Sequence, residues 1–174
     1  MITLLTGGSA CGKSTYAESV CTAGPGRRFY IAAMMPYGEE SEARIARHRL
    51  MRDKSGFETI ERYTDMASLA LPARGTALLE CLCNLTANEM FSPEGTGADA
   101  ENAVIRGIEH IASQCDRLVV VTNDVGSDGG GYDESTMEYV RVLGRINRRA
   151  ALLADNVLEL VAGIPIVLKG ELPI

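Results

Sequence analysis

Ile2-Thr3-Leu4-Leu5-Thr6-Gly7-Gly8-Ser9-Ala10-Cys11-Gly12-Lys13-Ser14 is the stretch that decides the fold. Its first five residues are a short apolar run with β-branched members, as a strand buried on both faces requires. The run stops at two glycines, and the residues from Lys13 onward can continue as a helix that closes at Gly24-Pro25-Gly26. Gly7 to Ser14 fits the pattern GxxxxGK[ST], with the strand before it and the helix after it that the chemistry needs. A loop of this spacing wraps a polyphosphate with backbone N–H groups, and the helix N-terminus adds partial positive charge. Gly7 and Gly12 allow the close approach, the Lys13 ammonium reaches the β- and γ-phosphates, and the Ser14 hydroxyl completes a Mg²⁺ shell.

Outward from this loop, Phe29 to Ala32 reads as the next strand, Phe57 to Glu61 as a short one and Thr76 to Glu80 as a buried one ending in a carboxylate. Helices are expected over Glu39 to Arg52, about Leu82 to Phe91, from Asp99 toward Gln114, and from near Glu134 to Asp155. Arg117 to Thr122 is the clearest strand, and Val157 to Val161 with Ile164 to Leu168 reads as a hairpin turning at Ala162-Gly163. Alternating strands and helices predict an α/β P-loop NTPase sandwich of the RecA-like kind, with a largely parallel central sheet and a C-terminal β-hairpin. The 174 residues fit one nucleotide-binding domain, 1–174.

Composition narrows the partners. Lys plus Arg number 17 against 23 Asp plus Glu, a net charge of −6 that is the wrong sign for tracking nucleic acid. No apolar stretch has membrane-spanning length, and the opening apolar run lacks a basic segment before it, so a cytoplasmic location is expected. Five cysteines (Cys11, Cys21, Cys81, Cys83, Cys115) form no disulfide spacing and suit a reducing compartment. Cys81 and Cys83 lack the further ligands of a zinc site and read as small buried thiols.

A triphosphate cradle needs a carboxylate at the end of a neighbouring strand to hold its magnesium. Glu80 and Asp124 both stand after apolar runs, and Glu80 is the favoured partner of Ser14. His48 lies in Arg44-Ile45-Ala46-Arg47-His48-Arg49-Leu50-Met51-Arg52, where neighbouring cations keep an imidazole neutral and nucleophilic near pH 7 and can hold phosphate oxygens. His110, beside Ile108 and Ile111, reads as structural.

Thr6-Gly7-Gly8-Ser9 through Lys13-Ser14, Tyr30-Ile31-Ala32-Ala33, Ala43-Arg44-Ile45 followed by His48-Arg49, and Leu79-Glu80-Cys81-Leu82 occur in an order that resembles one enzyme family. Val121-Thr122-Asn123-Asp124-Val125-Gly126 and Gly144-Arg145-Ile146-Asn147 extend the likeness over nearly the whole chain. The family is the bifunctional adenosylcobinamide kinase and adenosylcobinamide-phosphate guanylyltransferase. The resemblance implies phosphorylation of adenosylcobinamide by ATP or GTP, then transfer of GMP from GTP to adenosylcobinamide phosphate through a guanylylated His48. It further implies guanine-nucleotide contacts at Gly7, Gly8, Ser9, Ala10, Cys11, Gly12, Lys13 and Ser14, at Ala32, Ala33 and Met34, at Arg49, Leu50, Met51 and Arg52, and at Glu61 and Glu80. A homotrimer is implied as well. One departure stands out: where the family usually presents arginines and an Arg-Asp pair, Tyr132 to Arg141 has no Arg-Asp pair. A small-molecule kinase with an idle His48, or an NTP-driven switch, shares the same cradle.

Overall fold

The computed structural model describes residues 1–36, 55–126 and 131–173. The helix expected over Glu39 to Arg52, and with it His48, Arg49, Leu50, Met51 and Arg52, lies outside the described residues.

The strands are β1 (Ile2–Thr6), β2 (Arg28–Ala32), β3 (Phe57–Glu61), β4 (Thr76–Glu80), β5 (Arg117–Val121), β6 (Asn156–Val161) and β7 (Ile164–Lys169). They form one seven-stranded sheet in the order β3-β2-β4-β5-β1-β6-β7. Every pairing is parallel except the last, in which β7 runs antiparallel to β6. The central strands are apolar almost throughout because both faces are covered: Leu4, Leu5, Leu78, Leu79, Leu118 and Val119 are all nearly inaccessible to solvent.

Helix α1 (Lys13–Thr22) packs against β1, β4 and β5. Helices α2 (Leu82–Phe91), α3 (Ala100–Gln114) and α4 (Glu134–Leu153) pack on one another, with α3 reaching β5 and α4 reaching β1. On α3 the buried stripe Val104, Ile108 and Ile111 follows the helical period, and Leu143 and Ile146 of α4 meet the same core. Asp133 caps α4, accepting from the Thr136 backbone N–H at 2.9 Å. Asp99 stands at the N-cap of α3 without a side-chain capping bond, because its carboxylate is engaged by Asn102 at 2.7 Å and Arg106 at 2.9 Å.

The β6–β7 connection is the tight hairpin that the sequence predicts. Ala162 and Gly163 both have positive φ, 50° and 81°, which matches the twist of the flanking strands. The turn does more than reverse the chain: the Gly163 N–H donates to the Cys11 carbonyl at 2.8 Å, so the hairpin tip rests on the loop after β1.

Candidate functional site

Parallel pairing brings the carboxyl ends of β1, β2, β4 and β5 to one edge of the sheet, the place where open α/β sheets form their crevices. The crossover from β5 to β6 passes from one side of β1 to the other, so the loop after β1 sits at the reversal of strand order. A cavity of about 610 Å³ opens there.

The loop has the conformation its glycines permit. Gly7 and Gly12 take φ of 139° and 98°, and Ala10 enters the left-handed region at 56°. A Cβ on Gly7 would lie 2.6 Å from the Leu160 carbonyl oxygen, and one on Gly12 would lie 3.2 Å from the Gly163 Cα. Both glycines are therefore demanded by the hairpin behind the loop as much as by a ligand in front of it.

Lys13, the first residue of α1, is 6% exposed. Its ammonium donates to the carbonyls of Gly7 at 3.0 Å and Gly8 at 2.6 Å, and stands 3.6 Å from the Cys11 sulfur. A buried cation held by carbonyl dipoles is a charge positioned at the mouth of the loop and ready to exchange those partners for phosphate oxygens. Ser14, one position on, donates its hydroxyl to Glu80 Oε1, and Tyr30 donates its hydroxyl to Glu80 Oε2 at 2.8 Å. Of the two strand-end carboxylates, Glu80 is the one that meets Ser14. Asp124 is exposed, and its backbone N–H donates to the Gly7 carbonyl at 3.2 Å.

The remaining sequence candidates divide by position. Ser9 to Ser14, Ala32, Met34, Glu61 and Glu80 line the cavity. Ala33 is fully buried, its N–H bonded to the Glu80 carbonyl at 3.1 Å and its own carbonyl to Asn88 Nδ2 at 2.8 Å, so it shapes the floor from beneath. His110 is tied to the Leu69 carbonyl at 2.9 Å, away from the cavity.

Sequence reading passed over Tyr30 as a site residue, and over Cys83, Asn84 and Asn123, all of which line the cavity. Tyr30 was detectable in principle, since it shares a strand face with Ala32 two residues on. Cys81 and Cys83 stand at the start of α2. The bond from the Cys81 thiol lowers the Cys83 pKa, helped by the Asn123 N–H, while the same interaction and burial raise that of Cys81.

The family described as cobinamide kinase / cobinamide phosphate guanyltransferase matches residues 3–168. The chain is 30% identical to the bifunctional adenosylcobalamin biosynthesis protein CobU of Salmonella typhimurium, with 97% of this chain and 100% of that protein covered. It is 29% identical to CobU of Escherichia coli at the same coverage, and 28% identical to the bifunctional protein CobP of Pseudomonas aeruginosa, covering 97% of each. Among solved structures, the P4 protein from bacteriophage phi6 in complex with ADP aligns at a TM-score of 0.45 and 13% identity, over 94% of this chain and 52% of that one. A KaiC-like protein from Pyrococcus horikoshii aligns at 0.49 and 11% identity, over 98% and 80%. Matched by the family model over residues 3–168 and, over 97% of its length, by a relative 30% identical, the chain belongs to the cobinamide kinase / cobinamide phosphate guanyltransferase family.

Proposed function

We propose that the protein phosphorylates adenosylcobinamide with ATP or GTP and then transfers GMP from GTP to adenosylcobinamide phosphate, giving adenosylcobinamide-GDP. In the first step the acceptor hydroxyl oxygen attacks the γ-phosphorus, the β–γ bridging oxygen leaves with the nucleoside diphosphate, and the hydroxyl proton is released. In the second, a His48 nitrogen attacks the α-phosphorus of GTP and pyrophosphate departs. The acceptor phosphate oxygen then displaces the histidine, so two easier displacements replace one. The observation that carries this reading is the buried Lys13 ammonium beside the Ser14–Glu80 pair on a GxxxxGK[ST] loop.

Lys13 supplies fixed positive charge where negative charge develops on the transferring phosphoryl group. A hydroxyl and a carboxylate in contact are the hard oxygen donors that a magnesium ion takes, so Ser14 and Glu80 fit as its holders. A magnesium ion held by these two side chains would supply positive charge to the bound phosphates. Backbone N–H groups from Ser9 to Lys13 orient the phosphates, and Glu61 at the end of β3 and Met34 after β2 line the same cavity, with β4 and β5 between β2 and β1, as contacts for the nucleoside. The assembly is proposed to be a homotrimer.

Turnover of adenosylcobinamide with GTP, analysed for both the monophosphate and the GDP adduct, tests the two activities together. With α-³²P-labelled GTP, acid-labile and alkali-stable label is expected on the wild type and absent from His48→Ala. Monophosphate formed without label or adduct leaves only the kinase. Neither product, with partner-stimulated nucleotide hydrolysis instead, replaces the reading by a switch.

A further inference from the structure

Glu80 closes β4, and its two oxygens have different partners. Oε1 accepts from Ser14 and Oε2 from Tyr30 at 2.8 Å. The partners come from different elements: Ser14 from α1, Tyr30 from β2, the strand beside β4. In the β2–β4 register Tyr30 stands opposite Leu78 and Ala32 opposite Glu80. The tyrosine is therefore the diagonal neighbour of the carboxylate, at a separation that a side chain of its length can bridge.

The ring that carries the hydroxyl is rigidly held. Tyr30 is 5% exposed, and its ring meets that of Phe57 edge-on, with centroids 6.2 Å apart and planes at 85°. Phe57 is itself 6% exposed. A buried phenol fixed in this way delivers its hydroxyl to one place. A bond from a neutral hydroxyl to a carboxylate is among the stronger hydrogen bonds.

These observations separate the two oxygens of Glu80 in what they can do. A Ser14 hydroxyl that turns toward a metal oxygen shell no longer donates to Oε1. The Tyr30 bond to Oε2 does not depend on that turn and keeps the carboxylate aimed at Ser14. We propose that Tyr30 is a positioning residue for the metal–nucleotide site, holding Glu80 Oε2 from the neighbouring strand so that Oε1 stays available beside Ser14. The inference rests on the reading of Ser14 and Glu80 as the magnesium-holding pair. The ring and its phenylalanine neighbour supply stiffness, and the hydroxyl alone supplies the orientation.

The variant Tyr30→Phe keeps the ring and removes the hydroxyl. Binding of a fluorescent GTP analogue is measured as Mg²⁺ is titrated, on wild type, Tyr30→Phe and Phe57→Leu, with melting temperatures taken alongside. The Mg²⁺ concentration at half-saturation should rise about tenfold in Tyr30→Phe, while nucleotide affinity in EDTA stays within about twofold. Phe57→Leu, which keeps the hydroxyl, should lower the melting temperature and move the Mg²⁺ half-saturation by no more than about twofold. In a Glu80→Ala background, Tyr30→Phe should add no further Mg²⁺ effect, because its action passes through the carboxylate.

An unchanged Mg²⁺ response in Tyr30→Phe overturns the positioning role alone, as does an equal shift in Phe57→Leu. A wild type whose GTP affinity does not respond to Mg²⁺ overturns the reading of the metal pair, and this inference with it.

Discussion

Lys13 illustrates how much a single side chain carries here. It is buried, and the carbonyls of Gly7 and Gly8 hold its ammonium in place in the folded chain. Lys13→Ala is expected to cut phosphoryl transfer by about 10²–10³-fold, with melting temperature little changed, as measured by initial rates against adenosylcobinamide. Gly7 and Gly8 are adjacent but not equivalent. Gly7→Ala forces a Cβ against the Leu160 carbonyl at a φ of 139°, and should destabilise by roughly 1–3 kcal/mol in denaturant titration. Gly8→Ala meets no atom within 4 Å and should stay within about 0.5 kcal/mol of wild type. The loop motif fixes Gly7 and leaves Gly8 at a variable position. It does not name what Gly7 packs against, which comes from a strand more than a hundred residues away. The same holds for Tyr30: its strand was readable from the run Phe29 to Ala32, but its bond to Glu80 requires β2 to lie beside β4, and chain order does not state that.

Elements are joined by a few discrete clamps. Glu101 of α3 accepts from Arg145 at 2.7 Å and Arg149 at 3.0 Å, both on α4, and these bonds hold its carboxyl below the ordinary value of 4.5, Arg145 contributing most. A depressed native pKa stabilises the fold above the unfolded value and ceases to do so as pH falls through the native one. The gap in melting temperature between wild type and Glu101→Gln should therefore be full at neutral pH, begin to shrink below 4.5, and close below the native value. Both arginines are about 40% exposed, so added salt should narrow the gap as well. Asn88 is a second clamp: its amide donates to the carbonyls of Ala33 at 2.8 Å and Tyr63 at 2.9 Å, fixing α2 to the chain beyond β2 and β3. α3 was legible through Asp99 and the run of Ile105, Ile108 and Ile111, and α4 as the long stretch from Glu134. The structure adds the buried stripes Val104, Ile108, Ile111 and Leu143, Ile146. The clamps between them were not legible, because charged residues on solvated faces have the same pattern whether or not they find partners.

At the scale of the whole molecule, the candidate site draws on the first strand and on the last hairpin of the sheet. β1 lies between β5 and β6, and the loop after it touches the β6–β7 turn. A ligand seated on that loop would lie at the end of a strand flanked on both sides. GTP with Mg²⁺ at a hundred times its dissociation constant should add about 2.7 kcal/mol of stability, read as a rise in melting temperature that Lys13→Ala abolishes. Light scattering should give the mass of three 18.7 kDa chains, and a single-chain mass would refute the trimer. Parallel architecture was legible from alternating strands and helices. That the last hairpin props up the first loop was not, because nothing in Ala162-Gly163 names its distant contact. The contact bears on the order in which the protein matures. Synthesis proceeds from the N-terminus, so residues 7–14 are made long before the hairpin against which Gly7 and Gly12 pack. A nascent chain arrested short of β6 carries residues 7–14 without that hairpin.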